Sequence, residues 1–194
     1  MTDRRVKRTR RLLKAALVEL LSEQAYESVT IRDLTDRADI GYATFFRHYD
    51  SVNDLMLEIF TEFIQDLETY TDRTDEGYFE REGTSLFEHV EENRTLYRSI
   101  FESHTFSKKF REHFEALVRG HLDDRSKYIS SKEVPIDVAA QHMVSSILGL
   151  VNWWLMENTP PSVQQMGKIY ELLIIKGTWQ TLSSANPTNL PWEV

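Results

Sequence analysis

The residues best placed to do chemistry in this 194-residue chain sit near its front. Arg4, Arg5, Lys7, Arg8, Arg10, Arg11 and Lys14 face a single acidic residue, Asp3, within the first fourteen positions. Thr30, Arg32, Tyr42, Thr44, Arg47 and His48 follow. Guanidinium groups, hydroxyls and an imidazole at this density suit phosphates and base edges. Arg8, Arg10 and Arg11 are expected to act as electrostatic anchors. Arg47 suits a phosphate and suits plain solvent equally. Catalysis finds no footing, because Gly-x-Ser-x-Gly, a phosphate-cradling glycine loop and Gly-x-Gly-x-x-Gly are all missing. Adjacent acidic pairs such as Glu91-Glu92 and Asp123-Asp124 point apart on a helix and read as solvated surface. The six histidines lack tight ligand spacing and there is no cysteine, so no metal, cofactor or disulfide is expected. The chain is not expected to be an enzyme.

The elements that must carry these groups are two short helices joined by a tight turn, over residues 30–49. Thr30 is placed to cap the first helix, since its hydroxyl can accept an orphan backbone N–H. Ile31, Leu34, Thr35 and Ala38 share one face. Asp39-Ile40-Gly41 breaks the pattern with residues that tolerate turn geometry. A second helix is predicted over 42–49, with Phe45 and Tyr49 four apart on its inner face. This is a helix-turn-helix layout, in which the second helix enters the DNA major groove. Tyr42 and Thr44 open that helix, where side chains reach bases or phosphates. Phe46 is left with two options, a thymine methyl or internal packing.

The same stretch resembles a known signature. Ala38-Asp-Ile-Gly-Tyr-Ala-Thr-Phe-Phe-Arg-His-Tyr-Asp-Ser-Val-Asn-Asp-Leu55 is similar to the TetR-family pattern Ala-Gly-Val-Ser-x-Gly-Thr-Leu-Tyr-x-His-Phe-x-Ser-Lys-Glu-x-Leu. Ala38, Thr44, His48, Ser51 and Leu55 match outright. Gly41 stands where the family has a capping Ser, Phe46 where a Tyr hydroxyl meets phosphate, and Val52 where a Lys meets another. The resemblance covers residues 8–70. It implies that Thr44 and His48 meet the DNA backbone, and that a fourth helix connects the head to the body. It also implies a small-molecule cavity among the fourth to eighth helices. Apolar walls with a few polar groups would suit an apolar or aromatic effector. Phe63, Tyr97, Phe101, His104, Phe110, His113, Phe114, Asn152 and Trp153 are its candidate residues. A stripe such as Phe106-Phe110-Phe114 also reads as ordinary core.

Bulk properties agree. The apolar fraction is 41% and the charged fraction 28%, ordinary for a globular protein. Net charge is -8, yet residues 1–50 carry ten basic and eight acidic residues while the remainder carries thirteen and twenty-three. A basic front on an acidic body is the footprint of a chain that touches DNA with one end. No signal-like or bilayer-length apolar run occurs, so a cytoplasmic location without membrane attachment is expected.

Along the chain, residues 1–6 are expected to be irregular and 7–24 helical. A long fourth helix is predicted from about 51 to 70, with Ser51 and Asp54 at capping-box spacing. Residues 72–83 read as a loop, 84–92 and 95–103 as short helices, and 106–129 as a longer one. Helices at 137–157 and 163–182 are separated by Thr159-Pro-Pro-Ser162, and the tail from 183 is irregular. The fold class is all-α, with about nine helices. A DNA-binding domain (1–50, three helices) precedes an effector-binding and dimerisation domain (51–194), with helix 51–71 as connector. The last two helices are apolar over too much of their circumference for one core face. Ser145, Leu148, Gly149, Ile169, Leu172, Leu173 and Trp179 are therefore assigned to an interface between two copies. A dimer presents two reading heads to a two-fold DNA site. The combined expectation is a ligand-responsive repressor that binds a palindromic operator. The alternative is a helical protein-interaction module without DNA binding, suggested by Gly41, Phe46 and Val52.

Overall fold

The structure is a computed structural model that describes residues 2–69, 77–124, 134–157 and 161–182, with all their side chains except those of 2, 3, 65–69, 104, 105 and 124. Every regular element among the described residues is helical. The chain packs as two compact units, one formed by residues 1–66 with 94–108 and the other by 67–93 with 109–194.

The first unit opens with α1 (Thr2–Leu21), which begins five residues earlier than expected. The arginines and lysines that fill its first turns are good helix formers, and no breaker stands among them. Leu13, Ala16, Leu17 and Leu20 are buried at three-and-four spacing, so this helix holds its place through one apolar stripe. A 3₁₀ turn (Tyr26–Ser28) leads into α2 (Ile31–Arg37) and α3 (Tyr42–Phe45). Tyr26 and Val29 are buried beneath the head, and the Tyr26 ring lies 5.2 Å from Phe106. The fourth helix, α4 (Val52–Thr69), starts where Ser51 accepts from the Asp54 N–H at 3.3 Å. α6 (Arg94–Glu102) and the start of α7 (His104–Asp124) also belong here, with Tyr97 edge-on to Phe60 at 5.2 Å.

The second unit centres on α5 (Tyr78–Glu92), α8 (Ile136–Met156) and α9 (Val163–Ile169). Residues 78–83, expected in a loop, are the first turns of α5; Gly77 at φ +82° supplies the left-handed residue that precedes them. Thr84 and the residues around it cross α9 at very short range. A Cβ added to Gly167 would stand 2.5 Å from the Glu80 carbonyl oxygen and 2.7 Å from the Thr84 nitrogen, and one on Gly83 would meet the Tyr170 ring at 2.7 Å. Gly167 is what lets α5 and α9 touch backbone to backbone, and Gly83 leaves room for the Tyr170 ring.

Ser162 caps α9 reciprocally with Gln165, as the Pro-Pro-Ser stop predicts. The predicted single helix 163–182 is helical throughout, but it widens to π winding over Tyr170–Lys176 before α10 (Gly177–Leu182). Apolar periodicity carries no sign of that change. Glu171 is buried inside it, held by Lys168 at 2.7 Å and Lys176 at 3.4 Å. Burial pushes its carboxyl up and the two ammonium groups more than offset this, leaving it below the ordinary 4.5. The expected loop residues 72–76, the helix end at 125–129, the loop 130–133, the helix stop at 158–160 and the tail 183–194 lie outside the described residues.

Candidate nucleic-acid interface

The interface is built on a fixed α2. Thr30 accepts from the Asp33 N–H at 3.1 Å, while the Thr30 N–H donates to the Asp33 carboxylate at 2.9 Å. Each end thus satisfies the other's orphan donor, a complete capping box. The Thr30 hydroxyl also donates to Asp33, which helps hold that carboxyl below its ordinary 3.8. Thr30, expected at the DNA, is engaged as a cap. At the other end of α2, Arg37 grips Glu23 with both terminal nitrogens, at 2.6 and 2.9 Å, and reaches Glu19 at 3.3 Å. This fork ties α2 to α1. The turn follows with Asp39 at φ +51°, a position where Asp's short side chain tolerates the left-handed region.

α3 is shorter than its prediction. Regular winding covers Tyr42–Phe45, and the chain then continues in tight turns, with the Arg47 N–H donating to the Thr44 carbonyl and the His48 N–H to Phe45. Gly41 precedes α3 without a side-chain cap. Its backbone angles are ordinary and a Cβ would meet only the Thr44 hydroxyl at 3.5 Å, so nothing in the geometry demands glycine. What keeps so short a helix in place is its inner face. Phe45 and Tyr49 are buried, with rings 5.7 Å apart, as the spacing predicts.

The outer face carries Tyr42 (53% exposed), Ala43, Phe46 (48%) and Arg47. Phe46 does not pack away; that ambiguity resolves toward exposure. Thr44 and His48 are half-buried at the rim, and Arg32 is exposed on α2. On α1, Arg8 and Arg11 are exposed, whereas Arg10 is drawn inward, 3.5 Å from Glu58 and 6.0 Å over the Tyr49 ring.

Sequence reasoning missed the polar cluster that props this face from behind. Glu58 on α4 takes Lys14 at 2.7 Å and a hydrogen bond from the Tyr49 hydroxyl at 3.0 Å; Lys14 also reaches Glu62 at 2.5 Å. Burial works to raise the Glu58 carboxyl, but Lys14, Tyr49 and Arg10 together bring it below 4.5. The same burial, aided by Glu58, pushes the Tyr49 phenol well above its ordinary value. The available signal was the i,i+4 spacing of Glu58 and Glu62 on a helix otherwise apolar there.

The candidate effector residues fall in different units. Phe63 and Phe101 are half-buried and Tyr97 is buried in the first; the side chain of His104 lies outside those described. In the second unit, Phe110 is buried and stacked on Phe114 at 6.0 Å, with His113 and Asn152 half-buried. Trp153 faces outward (44% exposed), contrary to its assignment to a cavity wall. Trp154 takes the inner place, edge-on to Phe87 at 5.3 Å and donating to the Pro161 carbonyl at 2.7 Å. Among the described residues of this unit, one pocket of about 430 Å³ lies beside Arg119 and Asp137 and another of about 220 Å³ beside His142 and Thr178; neither is lined by a candidate effector residue. Of the interface candidates, Ser145, Gly149, Leu172 and Leu173 (66%) are exposed and Ile169 is half-buried. Leu148 and Trp179 are buried within their own unit, because they sit on the inner stripes of α8 and α10.

Residues 12–59 match the family model described as bacterial regulatory proteins, tetR family, and residues 83–176 match a second described as transcriptional regulator C-terminal region. The chain belongs to the TetR family of transcriptional regulators. Among relatives, it is 44% identical to the uncharacterized HTH-type transcriptional regulator YxbF of Bacillus subtilis over 55 residues, 28% of this chain and 14% of that one. It is 25% identical over 125 residues to DhaS of Lactococcus lactis, an HTH-type dhaKLM operon transcriptional activator, covering 64% of each. The chain therefore spans less than two thirds of either relative's length. A TetR regulator structure from Streptococcus agalactiae aligns over 89% of this chain and 97% of its own, with 26% identity and a TM-score of 0.60. One from Syntrophomonas wolfei aligns over 89% and 95%, with 16% identity and a TM-score of 0.66, a likeness of fold. These relatives are regulators, not enzymes. No helix among the described residues is long and apolar enough to cross a membrane.

Proposed function

We propose that this protein is a dimeric, ligand-responsive transcriptional repressor acting in the cytoplasm. The observation that carries the reading is the outer face of α3. A braced, capped motif buries Phe45 and Tyr49 and leaves Tyr42, Ala43, Phe46 and Arg47 outward, beside a helix that bears seven basic residues. The acidic remainder of the chain favours contact with DNA through that end alone. Arg8, Arg11, Arg32, Thr44, Arg47 and His48 engage backbone and base edges. Selection of bound duplexes from a random pool tests this: a palindrome of two half-sites is the expected product, and no enrichment contradicts it.

The exposed residues of α8 and the π-wound segment, Ser145, Gly149, Leu172 and Leu173, support pairing of two copies. The dimer would space its heads by successive major grooves, roughly 34–36 Å apart. An apolar or aromatic effector held in the body shifts α4 and with it that spacing, by a population shift. Coupling of this kind is typically about 1–3 kcal/mol. Gel-shift titration with the effector reads it as reduced operator affinity. The sign of regulation depends on where the operator lies relative to the promoter, and DhaS is named an activator. A reporter assay with the selected operator upstream and downstream of the promoter distinguishes the two. The second reading, a helical module without DNA binding, draws on the uncapped Gly41; the same selection separates it.

A further inference from the structure

We propose that Tyr42 and Phe46 form a two-ring seat for the C5-methyl group of thymine, making apolar contact a main source of sequence choice in this head. The inference rests on the reading of α3 as the groove-facing helix.

The two rings meet edge to face, with centroids 5.4 Å apart and planes at 66°. Phe46 is also edge-on to the buried Phe45 at 5.6 Å and 81°, so its inner edge is fixed while its outer part faces solvent. Tyr42 and Phe46 are four residues apart and therefore share a face. Leaving both half-exposed costs solvation unless something apolar covers them when the protein is at work. Exposed Arg47 follows Phe46 directly and exposed Arg32 lies on the preceding α2, two cations of the same motif that suit a polyanion as the occupant.

The chemistry of the groove then narrows the choice. Phe46 has no donor or acceptor, so it reads neither a phosphate nor a hydrogen-bonding base edge. Base faces are stacked inside a duplex, which removes stacking as a use. The one apolar group that the major groove presents is the thymine methyl. Tyr42 keeps a phenol at its tip, so its ring can cover the methyl while its hydroxyl meets a polar neighbour.

The test uses the full chain and the duplex recovered from a random-pool selection, with each thymine replaced in turn by deoxyuridine. The exchange deletes one methyl and leaves base pairing intact. The expected result is an affinity loss of about fourfold at one or two positions per half-site, the factor that corresponds to one buried methyl-sized group. Phe46→Ala should bind thymine and deoxyuridine duplexes equally, and Phe46→Leu should still tell them apart; circular dichroism confirms that each variant is folded. Equal affinity of the native protein for every deoxyuridine duplex overturns the proposal while leaving DNA binding intact. Undiminished discrimination by Phe46→Ala overturns it too. If no duplex is bound at low salt, the reading of the head itself fails and takes this inference with it.

Discussion

The Lys14 ammonium on α1 lies 2.7 Å from the Glu58 carboxylate on α4, and that carboxylate also accepts the Tyr49 hydroxyl at the end of the recognition segment. One acidic group thus joins three elements behind the face that carries Tyr42 and Phe46. The helix it braces has a single regular turn, too short to be stable by itself.

Glu58→Gln should lower the stability of the head by about 1.5–3 kcal/mol, the range for hydrogen bonds to a charged group. The pH dependence follows from the sign of the shift. The folded-state carboxyl lies below its ordinary 4.5, so the unfolded chain binds the proton more readily. The contribution is complete above the ordinary carboxylate range and is lost as pH falls through the folded value. Thermal melts should therefore separate the native protein from Glu58→Gln at pH 7 and bring them together in strong acid. A gap unchanged with pH would refute the role.

Arg11 and Arg10 should behave differently despite being neighbours. Arg11 is exposed, so Arg11→Ala should weaken binding to all duplexes and reduce the salt slope by about 0.9 for each phosphate it no longer neutralises. Arg10 leans on Glu58 and the Tyr49 ring, so Arg10→Ala should also lower the melting temperature. Fluorescence anisotropy at several salt concentrations, with melts alongside, separates the two behaviours.

Gly167→Ala should destabilise the second unit by about 1–3 kcal/mol, the usual cost of overpacking. The added methyl would press on the Glu80 carbonyl and the Thr84 backbone, which cannot swing aside as a side chain tip would. Gly149→Ala is the control, since a Cβ there meets nothing within 4 Å of the same chain. Calorimetry should show a clear drop in stability for the first. For the second it should show little change in the monomer.

Leu173→Glu should convert a dimer to a monomer and weaken operator binding. Leu173 is 66% exposed and Leu172 49%, with Trp153 and Met156 also outward on α8. A carboxylate at Leu173 would be buried without a partner if two copies close over that face, at a cost of several kcal/mol. Sedimentation velocity reads the change, and an unaltered mass would place the interface elsewhere.

Much of the head was readable because its residues answer to local rules. Thr30 capped as predicted, Asp39 took the turn, and Phe45 and Tyr49 went inward on helical spacing. The 3.6-residue period also located α8 and the split between α5 and α6. What escaped depends on packing between residues distant in sequence. The Lys14–Glu58–Tyr49 cluster joins residues up to 44 positions apart. Gly83 read as part of a loop, and Gly167 carried no signal inside its predicted helix, until α5 is seen crossing α9. Trp153 and Trp154 are identical in type and adjacent, so only the packing of α8 assigns one outward and the other to Phe87. Wide apolar arcs on α8 and the last helix were legible, but Leu148 and Trp179 belong to the inward part of those arcs.

The most direct test of the whole account is the mass of the complex between the full chain and the selected duplex, measured by native mass spectrometry or light scattering. Two protomers on one symmetric duplex, with a half-site duplex bound far more weakly, is the predicted result. One protomer per duplex, or no complex even at low salt, would contradict it.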